Sequence, residues 1–362
     1  MHIYRRGNWK PTMNSTMRHT LVAFAAALLL APLVARAADA PASTAPLAAL
    51  LAGKFKWIST APLIATNDAD RGVGIKDPTI VFHEGHWHIY ATLRLEKAAI
   101  MEHLSFADWK AADTAERHVI GTDESYHCAP QLFYFRPQGK WYLIHQWKDR
   151  SVVPANYGPC WSTLESPGKP QTLTRPVMLF PRKPANVPCW IDFWVICDDV
   201  SAYLFFTGDD GTFWRCRTPL ASFPAGWTEP QLVLKQATNE FFEATHTYRL
   251  KGMAKYLTLA EAIGPQSCRY YKAYLADRLD GDWKPLAGSW DQPFASVRNV
   301  TFAPGVAPWT ESISHGELLR DGTDETLTVD PAHLRFLFQG CLDKERAGKK
   351  YSQIPWRLGI LE

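Results

Sequence analysis

Five packets recur between residues 77 and 340, each a β-branched and aromatic run, a tight polar or glycine-bearing turn, and a second such run. The first is Asp77 to Thr92 (DPTIVFHEGHWHIYAT), turning at Glu84-Gly85. The second is Ala129 to Gln146 (APQLFYFRPQGKWYLIHQ), turning at Gln138-Gly139. Asp192 to Cys216 forms the third, with a further hairpin at Asp209-Asp210-Gly211, and Phe242 to Ala262 the fourth, turning at Lys251-Gly252. Ser312 to Val329 with Leu334 to Gly340 makes the fifth. Such runs, broken by Gly, Asp and Pro with few helical periods, read as an all-β chain. Starts near 77, 129, 192, 242 and 312 give a period of about 50 to 70 residues, close to a four-stranded blade with its loops. The repeat therefore predicts a five-bladed β-propeller. A two-sheet sandwich would not explain polar residues recurring in the first strand of each packet.

The chain has 362 residues, 46% of them apolar and 13% aromatic, enough for a large core. Its beginning belongs to no fold. Met17-Arg18-His19 leads into the apolar run Leu21 to Val34 and the small-residue site Ala35-Arg36-Ala37, which reads as a secretory signal over residues 1–37, with translation from Met17 serving equally well. The run is short for a membrane span of about 20 residues. An Ala/Pro-rich linker is expected over 38–53 and the propeller over 54–362. Removing residues 1–37 deletes five basic residues and no acids, taking the formal charge from +3 to −2. A near-neutral mature chain without Lys/Arg blocks argues against nucleic acid and anionic membrane as partners. The chain is expected to be secreted or periplasmic, and a monomer, although no sequence feature bears on its oligomeric state. Seven scattered cysteines show no zinc spacing; Cys160 with Cys189 and Cys197 with Cys216 are the disulfides that proximity suggests.

In a propeller the innermost strand of each blade lines the central channel, so residues opening that strand face one funnel. Asp77, Asp192 and Glu243 are expected there, among Ile75-Lys76-Asp77-Pro78, Trp190-Ile191-Asp192-Phe193-Trp194 and Phe241-Phe242-Glu243-Ala244. Carboxylates are rarely buried unless paired or used, and three from three blades call for a shared purpose. Inverting glycoside hydrolysis needs one carboxylate to activate water and one protonated carboxyl to release the leaving oxygen, roughly 6.5–9.5 Å apart. Facing blades can supply that gap. Mutual repulsion and apolar walls would raise the donor's pKa towards neutrality. Spacing alone leaves open which of the three is the base.

The strings Phe55 to Ile64 (FKWISTAPLI), Arg71 to Val81 (RGVGIKDPTIV), Ala129-PQLFYF, Trp190-IDFWVICD, Phe242-EAT, Glu261-AIG, Ile313-SHGELLR and Tyr351-SQIPWRLGIL span nearly all of residues 55–362. In this order they resemble glycoside hydrolase family 62, the inverting α-L-arabinofuranosidases, five-bladed propellers related to family 43. The resemblance implies an exo-acting enzyme that removes arabinofuranose side chains from arabinoxylan or arabinan. It makes Asp77 the general base, Glu243 the general acid and Asp192 the acid that tunes the donor. It puts Lys76, Trp194, Arg269 and Tyr351 at the sugar, with Glu261 supporting a pocket hydroxyl or Arg269, and Trp194 also reads as blade core. It also implies calcium near His315, held largely through water, with Gln339 sharing that site; the acid–base pair needs no metal to activate water. Departures fall at the rim: Tyr126-His127-Cys128-Ala129-Pro130-Gln131 stands where Tyr-Arg-Ala-Ala-Pro-Gln is expected, and Tyr351-Ser352 where Tyr-Asn is expected. Those departures keep two alternatives in view: a same-fold hydrolase of another furanoside, such as a D-arabinan or bacterial wall glycan, and a glycan-binding propeller without catalysis.

Overall fold

The structure, a computed structural model, describes residues 44–67, 72–120 and 126–362. The expected signal segment lies outside the described residues. Five sheets carry nearly all of the regular structure. The first blade runs outward through Gly74–His83, His86–Arg94, Ala99–Phe106 and Arg117–Ile120. The second uses Tyr126–Phe135, Lys140–Asp149, Asn156–Leu164 and Val177–Met178. Ile191–Cys197, Ser201–Thr207, Thr212–Pro219 and Gln231–Lys235 make the third. The fourth is built from His246–Leu250, Tyr256–Ile263, Arg269–Ala276 and Lys284–Ala287.

The repeat predicted these four blades and their turns. At Glu84-Gly85 both residues have positive φ, 49° and 79°, the backbone of a two-residue hairpin turn whose twist matches the strands. The fifth blade differs from expectation. Its inner strands, Ser314–Leu318 and Phe336–Gly340, come from the fifth packet, but Thr328–Val329 instead pairs in parallel with Arg249–Leu250 of the fourth blade. The outer strands come from both ends of the described chain: Arg357–Leu361 pairs with Phe336–Gly340, and Trp57–Ser59 joins it through Ser59 opposite Leu361. Val300–Phe302 then lies parallel to Trp57–Ser59 at the edge. This closure leaves the ring only short edges.

Inner strands are buried almost continuously rather than alternately, because both faces of a blade meet neighbouring blades. Separate apolar clusters fill the seams. Ile75, Ile80, Ile89, Leu337 and Leu358 join the first and fifth blades, and Val81, Tyr90, Leu132 and Leu143 join the first and second. The segment expected as a linker is not free along its length. Thr44–Leu51 is an α-helix whose Leu50 is buried in the same cluster as Trp57. Gly53 closes this segment in the left-handed region (φ 64°), where a Cβ would stand 2.1 Å from the Leu286 carbonyl oxygen.

Candidate active site

The site begins with a backbone irregularity repeated around the ring. The inner strands of three blades lose register at one level, between Lys76 and Thr79, Cys128 and Gln131, and Ile191 and Trp194. The fifth does so between Ser314 and Gly316. Asp77, Ala129, Asp192 and Ala244 have φ of 49°, 48°, 55° and 52°, a conformation that costs a non-glycine residue about 1–3 kcal/mol. A bulge re-aims side chains and strands an N–H outside the ladder. Neighbouring side chains capture those N–H groups. Ala129 N–H donates to Thr92 Oγ1, Ala244 N–H to Asp192 Oδ2, His315 N–H to Glu261 Oε2 and Asp77 N–H to Gln339 Oε1, each at 2.8 Å. Four such latches between blades hold Asp77, Ala129, Ala244 and His315 in place, and Asp192 takes part through its carboxylate.

Asp77 and Asp192 come together at the axis as expected, 3% and 6% exposed. Glu243 joins them but lies in no strand, three residues ahead of His246–Leu250, tied to the second strand by Phe242 N–H to Glu261 O (2.8 Å) and Glu261 N–H to Glu243 O (3.0 Å). His315 Nδ1 stands 3.2 Å from Asp77 Oδ1 and 3.8 Å from Asp192 Oδ2. Burial pushes its pKa down to about 4, so the ring is neutral at pH 7 and presents Nδ1–H to the acceptor-only carboxylate of Asp77.

Electrostatics separates the acids. Burial favours a neutral Asp77, but Lys76 Nζ, 3.1 Å from Oδ1, with the Thr92 hydroxyl, outweighs it and holds the group below 3.8. Burial, then the charges of Glu261 and Asp192, push Glu243 well above 4.5, with Arg269 pulling the other way. Burial and the neighbouring Asp77 raise Asp192 to about 8 despite the Ala244 N–H. One acid is thus pulled below the ordinary carboxylate range and two are pushed above it within one funnel.

The expected sugar contacts divide. Lys76 Nζ also donates to Tyr351 Oη at 3.1 Å and lies 4.8 Å from that ring's centre, and Tyr351 is 46% exposed at the rim. Arg269 Nη1 sits 3.5 Å from Glu243 Oε1 and 3.0 Å from Glu261 Oε1, with its guanidinium over Phe242. Glu261 is fully buried, both oxygens engaged by Arg269, the Ser314 hydroxyl and the His315 N–H, so it supports Arg269 rather than reaching the sugar. Trp194 is corrected from pocket wall to blade core. It is 2% exposed, stacks on His246 at 4.2 Å and donates its indole N–H to Thr247 O.

Calcium requires six to eight oxygen ligands. The two residues assigned to it do not make a direct cage. Gln339 Oε1 accepts from Asp77 N–H while its Nε2 donates to Ser314 Oγ, and His315 offers nitrogen with Nδ1 turned to Asp77. No group of three or more His, Cys, Asp or Glu among the described residues is arranged to hold a metal ion. All seven cysteines are free, so the expected disulfides are not formed; Cys160 instead donates to His145 O at 3.2 Å and Cys189 to Gly208 O.

Sequence reasoning missed Thr92 and Gln146. Their signal was a polar residue inside the apolar second strand, at the level that Glu261 and Gln339 occupy in their own blades. A cavity of about 650 Å³ lined by Arg117, His118, His127 and His145, among others, lies in the seam between the first and second blades and shares no side chain with the acid cluster.

Comparison with known proteins accords with this geometry. Residues 56–362 match the family model described as glycosyl hydrolase family 62. The chain is 37% identical over 319 residues to alpha-L-arabinofuranosidase C of Cellvibrio japonicus, covering 86% of this chain but 47% of that protein, so it spans about half the length of that relative. The catalytic domain of the Coprinopsis cinerea family 62 alpha-L-arabinofuranosidase superposes with a TM-score of 0.79 at 36% identity, covering 85% of this chain and 97% of that one. A family 62 hydrolase solved in complex with xylotriose gives 0.78 at 36% identity, covering 86% and 98%. The latched bulges, the converging acids and these matches together establish that the chain belongs to glycosyl hydrolase family 62.

Proposed function

We propose that this chain is an inverting, exo-acting α-L-arabinofuranosidase that removes arabinofuranose branches from arabinoxylan or arabinan. The observation that carries the reading is the opposed setting of two acids in one funnel: Lys76 Nζ at 3.1 Å draws Asp77 below the ordinary carboxylate range, and burial with acidic neighbours pushes Glu243 well above it. Asp77 takes a proton from water as the water oxygen bonds to the anomeric carbon. The glycosidic bond breaks on the opposite face, and Glu243 gives its proton to the departing oxygen. Asp192 tunes the donor because two buried carboxyls in one funnel resist ionising together, while Lys76, Arg269 and Tyr351 bind furanose hydroxyls. No step passes through calcium. The charged start and apolar run of residues 1–37 support export, with the mature chain working outside the cytoplasm on an arabinose-bearing polysaccharide.

The test is to incubate the protein with a panel of arabinose-bearing polysaccharides and follow the released sugar by NMR. Free arabinose whose first-formed anomer is β is the expected result. Asp77→Ala and Glu243→Ala should each abolish release while retaining the melting transition. Near-normal turnover in either variant removes the assignment. Tight binding of intact polymer with no product would favour the non-catalytic propeller.

A further inference from the structure

The second blade contributes a side chain that the reaction above leaves unused. Gln146 lies in Lys140–Asp149 opposite Cys128, 1% exposed. Each polar atom of its amide has a partner. Oε1 accepts from the Tyr157 hydroxyl, and Nε2 is 3.2 Å from both Asp192 Oδ1 and Cys128 Sγ. Because an amide nitrogen carries two hydrogens, both donors are used, and the acidic oxygen on that side sets which way the amide faces.

The far oxygen of Asp192 continues the chain. Oδ2 accepts the Ala244 N–H at 2.8 Å, and Ala244 follows Glu243 directly with φ at 52°. Asp192 is thus gripped at one oxygen by the second blade and grips the fourth with the other. A left-handed non-glycine residue relaxes when its restraint goes, because the conformation costs about 1–3 kcal/mol. Loss of the Gln146 bond frees Asp192 to rotate, releases the Ala244 N–H and lets the peptide beside Glu243 turn.

We propose that Gln146 is a positioning residue for the acid limb of the reaction: with Tyr157 it orients Asp192, and through Asp192 it holds the Glu243–Ala244 peptide so that the donor points at the leaving oxygen. The inference rests on the reading of Glu243 as proton donor. It assigns Gln146 no contact with the sugar and no proton of its own. A misplacement of about 1 Å can cost on the order of 10²-fold in rate, so the effect belongs in kcat and only where protonation of the leaving group matters.

The experiment compares wild type, Gln146→Met, Tyr157→Phe and Glu243→Gln on two substrates: arabinoxylan, whose sugar leaving group needs a proton, and 4-nitrophenyl α-L-arabinofuranoside, whose phenolate leaves with little help. Gln146→Met should lower kcat on arabinoxylan by about 10- to 100-fold, part of the roughly 10²–10⁴-fold that a positioned acid contributes. It should lower kcat on the nitrophenyl glycoside by less than about 3-fold, with either KM changing less than that. Tyr157→Phe, which removes one oxygen, should show a smaller loss with the same substrate dependence, and it carries the test if Gln146→Met fails to fold. Equal loss on both substrates, a change confined to KM, or unchanged kinetics overturns the inference. Glu243→Gln separates the two failures. If that control shows no preferential loss on arabinoxylan, the donor assignment itself is wrong; if it does and the Gln146 and Tyr157 variants do not, only the positioning role falls.

Discussion

Replacing Gln339 with leucine tests whether that residue is a latch or a metal ligand. Its Oε1 takes the Asp77 N–H at 2.8 Å and its Nε2 donates to Ser314 Oγ at 3.1 Å, both buried. Leucine is close in volume and keeps the seam filled. The Asp77 N–H is then left without an acceptor, which costs about 1–3 kcal/mol, and one neutral hydrogen bond worth about 0.5–1.5 kcal/mol is lost. Together these predict a destabilisation of about 2–4 kcal/mol, a fall in melting temperature of about 3–6 °C for a domain of this size. Because the orphaned group belongs to Asp77, whose strained φ depends on it, turnover should fall more than sugar binding. The assay is urea unfolding followed by fluorescence, with kcat and KM on arabinoxylan, each with calcium and with chelator. Latch loss gives the same deficit in both conditions. A destabilisation below about 0.5 kcal/mol, or a deficit that chelator reproduces in wild type and calcium restores, refutes the reasoning.

Three further outcomes follow from the same geometry. Asp192 binds its proton more tightly in the folded chain, up to about 8 against an ordinary 3.8, so its contribution is complete below the ordinary value and is lost as pH rises towards the folded one. The unfolding free energy should decline across that window by at most about 1.4 kcal/mol per pH unit, and Asp192→Asn should flatten the decline; an equally steep curve in the variant contradicts the linkage. Trp194→Ala should cost about 3–5 kcal/mol of stability and leave KM within about 2-fold, whereas a wall of the sugar pocket would show the reverse in ligand titrations. A chain starting at Phe55 should still melt cooperatively, but one starting at Ala61 loses Trp57, whose indole N–H donates to Phe294 O at 2.6 Å, and should drop by at least about 3–5 kcal/mol in chemical unfolding.

What the sequence by itself determined was local. Strand pairs joined by tight turns and runs buried on both faces are patterns within a few dozen residues, and the count of five blades could be read from them, though not the strands that complete the fifth. The three acids were legible because a carboxyl amid apolar residues is rare at any position. Their division of labour was not: Lys76 stands beside Asp77 in sequence, but adjacency along a strand does not make an ion pair, and only the structure puts Lys76 Nζ at 3.1 Å from Asp77 and leaves Asp192 without a Lys or Arg at that range among the described residues. Trp194 read as pocket wall with blade core left open, because the pleat decides its face and the bulge beside Asp192 shifts the pleat. Closure of the fifth blade and the Gln339 latch had no local signature: Gln339 and Asp77 lie 262 residues apart, and Ser59 meets Leu361 across the ends of the ring. Such pairings follow from the requirement that a ring of blades meet itself and satisfy each buried N–H, a condition on the whole molecule that tertiary structure alone resolves.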